Sequence, residues 1–141
     1  MDPRAPALQD VLEIEAAALL DTVRHLQAGG FDLLLDVTAV DWPAREPRFD
    51  VVWHFYSTRT FRRVRVKTRV GAADPTVDSL CVLYGAALFP ERECHEMYGI
   101  GFRGHPDLRP ILLYEGFTGH PLRKDYPIGR EQPLVAYREG K

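Results

Sequence analysis

The sequence predicts an α+β fold: a two-layer domain in which a small mixed sheet packs against helices, followed by a long irregular C-terminal extension. Three observations carry that prediction. "FDVVWHFYS" (49–57) and "FRRVRVKTRV" (61–70) are β-branched and aromatic segments joined by Thr58-Arg59-Thr60. Apolar residues at helical spacing precede and follow them. Beyond Gly99 neither period persists.

In chain order, Ala7 to Ala28 is expected to form an amphipathic helix. Leu8, Val11, Leu12, Ala16, Leu19, Leu20, Val23 and Leu26 recur at helical spacing, and Gly29-Gly30 is a stop signal. "FDLLLDVTAV" (31–40) reads as a strand, with Phe31, Leu33, Leu35 and Val37 on one face and Asp32, Leu34, Asp36 and Thr38 on the other. "DWPAREPR" (41–48) is a turn or loop. Residues 49–57 are apolar on both faces and belong at the centre of the sheet. Residues 61–70 alternate: Val64, Val66 and Val70 face inward, while Arg63, Arg65, Lys67 and Arg69 form a basic outer face that guards a sheet edge. After Asp74-Pro75, Thr76 is expected to N-cap a helix through "VDSLCVLYGAALF", bent or divided at Gly85. Pro90 suits the first turn of a further helix, "ERECHEMYG", ending at Gly99. The organisation expected is a compact domain over 1–99 and an extended segment over 100–141.

The 141 residues, 27% charged and 45% hydrophobic, have ordinary globular composition and suffice for one domain with a core. No apolar run approaches the roughly 20 residues that span a bilayer. Met1-Asp2-Pro3-Arg4 lacks the regions of a signal peptide. Cys81 and Cys94 make no disulfide framework, so a reduced, cytosolic chain is expected. A formal charge of -2 argues against a general nucleic-acid binder.

Candidate chemistry is sparse. His95-Glu96 begins like the zinc-protease helix H-E-x-x-H, but Gly99 stands where the second histidine belongs. Cys94 and His95 are adjacent on a helix and point about 100° apart, which spoils them as a nucleophile pair. The carboxylates of 91–96 are expected to pair with arginines, Arg92 being nearest. His105 and His120 each lie in a Gly-His-Pro tripeptide, where a fixed turn is more natural than a catalytic arm. Their imidazoles are expected to hydrogen-bond backbone groups that the irregular chain leaves over. The row Arg63, Arg65, Lys67 and Arg69 raises RNA binding as an alternative, without the exposed aromatics or basic groove such sites add. No phosphate loop, dinucleotide fingerprint or cluster ligand set is present.

The stretch "ERECHEMYGIGFRGHPDLRPILLYEGFTGHPLRKDYP" (91–127) resembles the C subunit of NADH:quinone oxidoreductase, the thirty-kilodalton subunit family of respiratory complex I. The resemblance rests on Glu91-Arg92-Glu93, Glu96, Met97-Tyr98, Gly99-Ile100, Gly104 to Arg109, Ile111-Leu112-Leu113 and Gly119 to Pro127. It extends from about Phe31 to Arg130. Departures are local: Glu96 for the commoner Asp, Pro110 for a frequent Arg, and "YGAALFP" (84–90) where the family has a tryptophan- and amide-bearing segment.

The resemblance implies a non-catalytic structural subunit of the peripheral arm, supporting electron transfer from NADH to quinone with no active site, metal or cofactor of its own. NADH, flavin, iron–sulfur clusters and quinone would belong to the whole complex. It implies docking beside the quinone-pocket subunit and near the terminal iron–sulfur-cluster subunit, with indirect membrane association. The side implied is cytoplasmic at a bacterial inner membrane, or the matrix in mitochondria. The docking residues implied are Glu91, Arg92, Glu93, Gly104, His105, Pro106, Asp107, Arg109, Gly119, His120, Pro121, Leu122, Arg123, Lys124, Asp125, Tyr126 and Pro127. Arg109 and Arg123 would pair with partner carboxylates, so truncating Arg123 is expected to weaken assembly and leave the domain's fold alone. Some relatives continue into the quinone-pocket subunit as one fused chain; this sequence ends at Lys141, so a non-covalent meeting is expected. The alternative assembly is a related membrane-bound hydrogenase, a photosynthetic oxidoreductase or an F420-type dehydrogenase.

Overall fold

A computed structural model describes residues 9–132. Expectations for Met1 to Leu8 and for the tail from Pro133 lie outside the described residues. The elements are β1 (Asp10–Glu13), α1 (Leu19–Ala28), β2 (Leu33–Asp41), β3 (Phe49–Tyr56), β4 (Arg63–Val70), β5 (Thr76–Asp78), α2 (Leu88–Tyr98) and β6 (Gly101–Arg103). Short 3-10 turns at Ala16–Ala18 and Gly85–Ala87 lead into the two helices. The main sheet has the order β1-β4-β3-β2, with β1 parallel to β4 and the other pairs antiparallel. β5 and β6 form a separate parallel pair. This is the predicted α+β architecture with a small mixed sheet and two helices.

The core lies on one face of the sheet. Phe49, Val51, Trp53 and Phe55 of β3 are fully buried and oppose Val70, Thr68, Val66 and Val64 of β4. Leu19 and Val23 of α1, Cys94 of α2, and Ile100 and Phe102 complete the cluster. β3 is central and β4 alternates as its sequence predicts, because the β4 valines have only one buried face to enter. α1 stops at Gly29, and α2 carries Pro90 in its first turn and ends at Gly99 in the left-handed region (φ 77°).

Four expectations are corrected. Among the described residues of the predicted helix over 7–28, only the second half is helical; Asp10–Glu13 is a strand beside β4. "DVLEIE" also alternates, and tertiary pairing decides between the two periods. The Ile14 N–H donates to the Lys67 carbonyl (2.9 Å), and the Thr68 hydroxyl donates to the Ile14 carbonyl (2.8 Å). β4 is therefore no edge strand.

In β2 the expected face breaks. Leu34 pairs with Phe55 and Asp36 with His54, so a bulge at Leu35 shifts the alternation by one residue. Leu34 and Val37 enter the core, while Leu33 and Leu35 stay exposed. Thr76 caps no helix. It opens β5 opposite Gly101, and the chain from Ser79 to Tyr84 turns without becoming helical. The Leu80 amide, which a helix would use, donates instead to the buried Glu91 carboxylate (2.7 Å). Val77 and Leu80 mimic helical spacing because both are fully buried, the first from β5 and the second from irregular backbone.

Thr68 is buried and supplies the bond that ends β1. Thr68→Val keeps its volume and leaves the Ile14 carbonyl unpaired, so denaturant unfolding is expected to lose about 1–2 kcal/mol. An unchanged midpoint would show that this strand end contributes nothing.

Candidate docking surface

The irregular segment after β6 lies against α2, whose ends leave backbone carbonyls and amides unpaired. Three successive groups of residues 120–123 meet its last carbonyls. His120 Nδ1 donates to the Glu96 carbonyl (3.0 Å), the Leu122 amide to Met97 (3.1 Å), and Arg123 Nε to Tyr98 (2.6 Å). The first Gly-His-Pro serves the opposite end. His105 Nε2 donates to the Leu88 carbonyl (2.9 Å), and its Nδ1 accepts the Asp107 amide (2.9 Å), which fixes the neutral tautomer. Both histidines therefore bond backbone groups, as expected from their setting. Gly99 is needed twice: its φ is left-handed, and a Cβ there would stand 2.5 Å from Arg123 Nη2.

Between these ends, Arg92 and Glu96 lie four residues apart on one face of α2 and hold the loop above. Arg92 donates from Nε to the Arg109 carbonyl (2.9 Å) and from Nη2 to that of Pro110 (2.8 Å). The nearly buried Glu96 carboxylate accepts the amides of Ile111, Leu112 and Leu113 (3.2, 2.9 and 2.8 Å). The expected carboxylate–arginine pairing within 91–96 is thus corrected: both buried acids take hydroxyl or amide protons, because loop backbone is the group left needing acceptors. Glu91 accepts the Ser79 hydroxyl (2.6 Å) and the Leu80 amide, and burial raises its pKa. Glu93 is exposed.

A third anchor comes from β2. The buried Asp41 accepts a bidentate pair from Arg48 (2.7 and 2.9 Å) and the Lys124 amide (2.8 Å). Arg48 also bonds Asp125 (3.2 Å). The hydrogen bonds from Arg48 hold the carboxyls of both Asp41 and Asp125 below their ordinary range. The guanidinium groups of Arg48 and Arg123 both lie over the Phe49 ring, at 5.0 and 5.1 Å.

Other residues implied by the resemblance fall into place around these anchors. Gly104 and Gly119 have positive φ beside Pro106 and Pro121. Tyr126, just before Pro127, stacks on Phe117 at 6.2 Å. Arg109 is exposed and paired with Asp107 (2.8 Å) within the chain. Arg123 holds α2 and covers Phe49, so truncating it would also remove contacts within the chain, which the sequence-based expectation left out. Asp41, Arg48 and Glu96 were missing from the implied docking set. Only the four-residue step from Arg92 to Glu96 was visible in sequence.

Cys81, Glu91 and His105 place ligand-type atoms within 4.8 Å of one another. Glu91 is already hydrogen-bonded, and the His105 nitrogens serve Leu88 and Asp107. Burial pushes both cysteine thiols up, and His95 turns its Nδ1 to the Ile100 carbonyl (2.7 Å), not to Cys94. The basic residues keep their outer position on β4, where Arg65 bonds Gln9 and Arg63 covers Tyr56.

Outward from the anchors, Phe89, Ile111, Leu112 and Leu122 are exposed; Leu112 is 60% exposed. Among the described residues no helix is long and apolar enough to cross a membrane.

Fold and site together define a small α+β domain with an extended C-terminal arm fastened over its second helix. The chain belongs to the family described as the respiratory-chain NADH dehydrogenase 30 Kd subunit, matching it over residues 12–132. It is 45% identical over 129 residues to the C subunit of the NADH-quinone oxidoreductase of Methylobacterium sp. (strain 4-46), covering 89% of this chain and 60% of that protein. It is 44% identical over 126 residues to the C/D subunit of the Bdellovibrio bacteriovorus enzyme, covering 87% of this chain and 22% of that protein. The chain thus spans 60% or less of the length of these relatives. A trypsin-resistant fragment of Nqo5 superposes with TM-score 0.66 at 31% identity, over 77% of this chain and 87% of that one. A chain of the membrane-bound sulfane sulfur reductase, an archaeal respiratory membrane complex, shares the fold with TM-score 0.79 at 22% identity, over 98% and 87%.

Glu96→Ala leaves three amides without their acceptor. It is expected to cost about 2–4 kcal/mol and to raise amide exchange at Ile111–Leu113 first; unchanged exchange there would refute the anchor. Asp41 has a depressed pKa, so its contribution is present above the ordinary aspartate value near ~3.9 and is lost as pH falls through its folded value. Asp41→Asn is expected to cost about 3 kcal/mol at neutral pH and to flatten the acid limb of a stability–pH curve. An acid limb as steep as in the parent chain would refute that assignment.

Proposed function

We propose that this chain is a non-catalytic structural subunit of the peripheral arm of a proton-translocating NADH:quinone oxidoreductase. It docks beside the quinone-pocket subunit, near the terminal iron–sulfur-cluster subunit, and supports electron transfer from NADH to quinone. It sits on the cytoplasmic side of a bacterial inner membrane and reaches the membrane only through the complex. In this reading the chain carries no cofactor of its own, and its two cysteines are too few for a four-thiolate cluster. NADH, flavin, clusters and quinone belong to its partners.

The observation that carries this reading is the exposed apolar set Phe89, Ile111, Leu112 and Leu122 on backbone already tied to α2. A segment ordered in advance binds without a large further entropy cost, and Pro106, Pro110, Pro121 and Pro127 restrict it further. Family membership supports the assembly. A relative whose name joins C and D supports a neighbour that can share one chain with this domain. The segment from 100 to 141 acts as the docking element, although Ile100 and Phe102 also serve the core.

Leu112→Asp places a charge on the exposed side chain and spares its amide bond to Glu96. The tagged full chain is expected to keep its unfolding midpoint. Its recovery of quinone-pocket, cluster-bearing and flavin subunits from gently solubilised membranes, read by mass spectrometry, is expected to fall at least about tenfold. Normal recovery would sink the reading. A hydrogenase-type large subunit in place of the NADH module would move it to the alternative membrane complex.

A further inference from the structure

Between α2 and the anchored loop lies a half-open cavity of about 220 Å³, lined by His95, Pro110, Leu113, Phe117 and His120 among others. We propose that this cavity is the socket for a single partner side chain, an aromatic ring with a hydrogen-bond donor at its tip, tyrosine or tryptophan. The inference rests on the docking role above and says what the partner must bring.

Size comes first. Sites for drug-sized ligands begin near ~300 Å³, so this cavity suits one side chain. Its walls supply proline, leucine and aromatic surface, the setting in which interface anchors bind. Its polar groups then select among side chains. Glu96 lines the cavity, but its carboxylate already accepts three amides. His95 and His120 each spend Nδ1–H on a backbone carbonyl, those of Ile100 and Glu96. In the neutral ring Nε2 is then a lone-pair acceptor. Among the described residues neither Nε2 has a hydrogen-bond partner, and neither is a fully buried unpaired atom.

Leucine or phenylalanine would cover these acceptors and leave them unpaired. Lysine or arginine would lose hydration against apolar walls and find no free carboxylate. A phenol hydroxyl or indole N–H fills the apolar volume and donates to an imidazole.

The test titrates the full chain with p-cresol and, separately, with toluene, following the imidazole nitrogens of His95 and His120 by NMR. p-Cresol is expected to shift at least one Nε2 resonance and to bind about fivefold tighter than toluene, the worth of one net hydrogen bond. Leu113→Trp, which fills the cavity, is expected to abolish that shift. Equal binding of the two probes, or no shift at either imidazole, overturns the proposal even if the variant fails to fold. Assembly separates this failure from the larger one. If Leu113→Trp co-purifies normally while Leu112→Asp does not, the socket falls and the docking surface stands. If both co-purify normally, the docking reading falls too.

Discussion

The structure after β6 depends on one constraint: an irregular segment must find partners for its backbone groups, and so must the ends of the helix beneath it. The two needs are met largely against each other. His120, Leu122 and Arg123 satisfy the last carbonyls of α2, while Arg92 and Glu96 satisfy carbonyls and amides of the loop. Arg92 carries only donors and Glu96, when ionised, only acceptors. Setting them four residues apart therefore presents both polarities to successive stretches of one loop. A pair of like residues would leave half of those groups unmet.

The same logic explains the local sequence. Each Gly-His-Pro turns the chain sharply, so that the imidazole points back to a helix carbonyl. The glycine between α2 and β6 cannot carry a side chain, because Arg123 and His120 occupy that space. Asp41 adds the sheet to this arrangement. It lies at the end of β2 and is nearly buried, so its charge is tolerable only with Arg48 and the Lys124 amide in place. The arm is thus fastened to both layers of the domain.

How much of this was legible follows from what each signal measures. The centre of the sheet was plain, because β3 and β4 alternate against one buried face. The strand at Asp10–Glu13 was hidden, because "DVLEIEAAALL" satisfies two periods and only pairing with β4 separates them. Leu35 shows a different limit. A bulge changes the facing of each residue beyond it, and nothing in "DLLLD" marks which leucine is unpaired. Thr76 has a cap-like neighbourhood but caps no helix, because Glu91, distant in sequence, takes the Leu80 amide. At the site, the histidines' use of backbone followed from their setting between glycine and proline. Asp41 and Arg48 were illegible: they meet residues 124–125 across a sequence distance no local pattern spans.

Glu91, Arg92 and His105, which the resemblance placed at a partner interface, spend their hydrogen bonds inside the chain. That placement alters what such residues can contribute to binding. A side chain committed to α2 or to loop backbone cannot reach outward without breaking a bond, so its effect on a partner passes through the shape it imposes. Among the side chains that stay outward are the apolar Phe89, Ile111, Leu112 and Leu122, alongside the charged Arg109 and Asp125. A flexible arm bearing the same residues would have to order itself as it docked. Here the ordering accompanies folding of the domain, and contact can spend its free energy on burial of side chains.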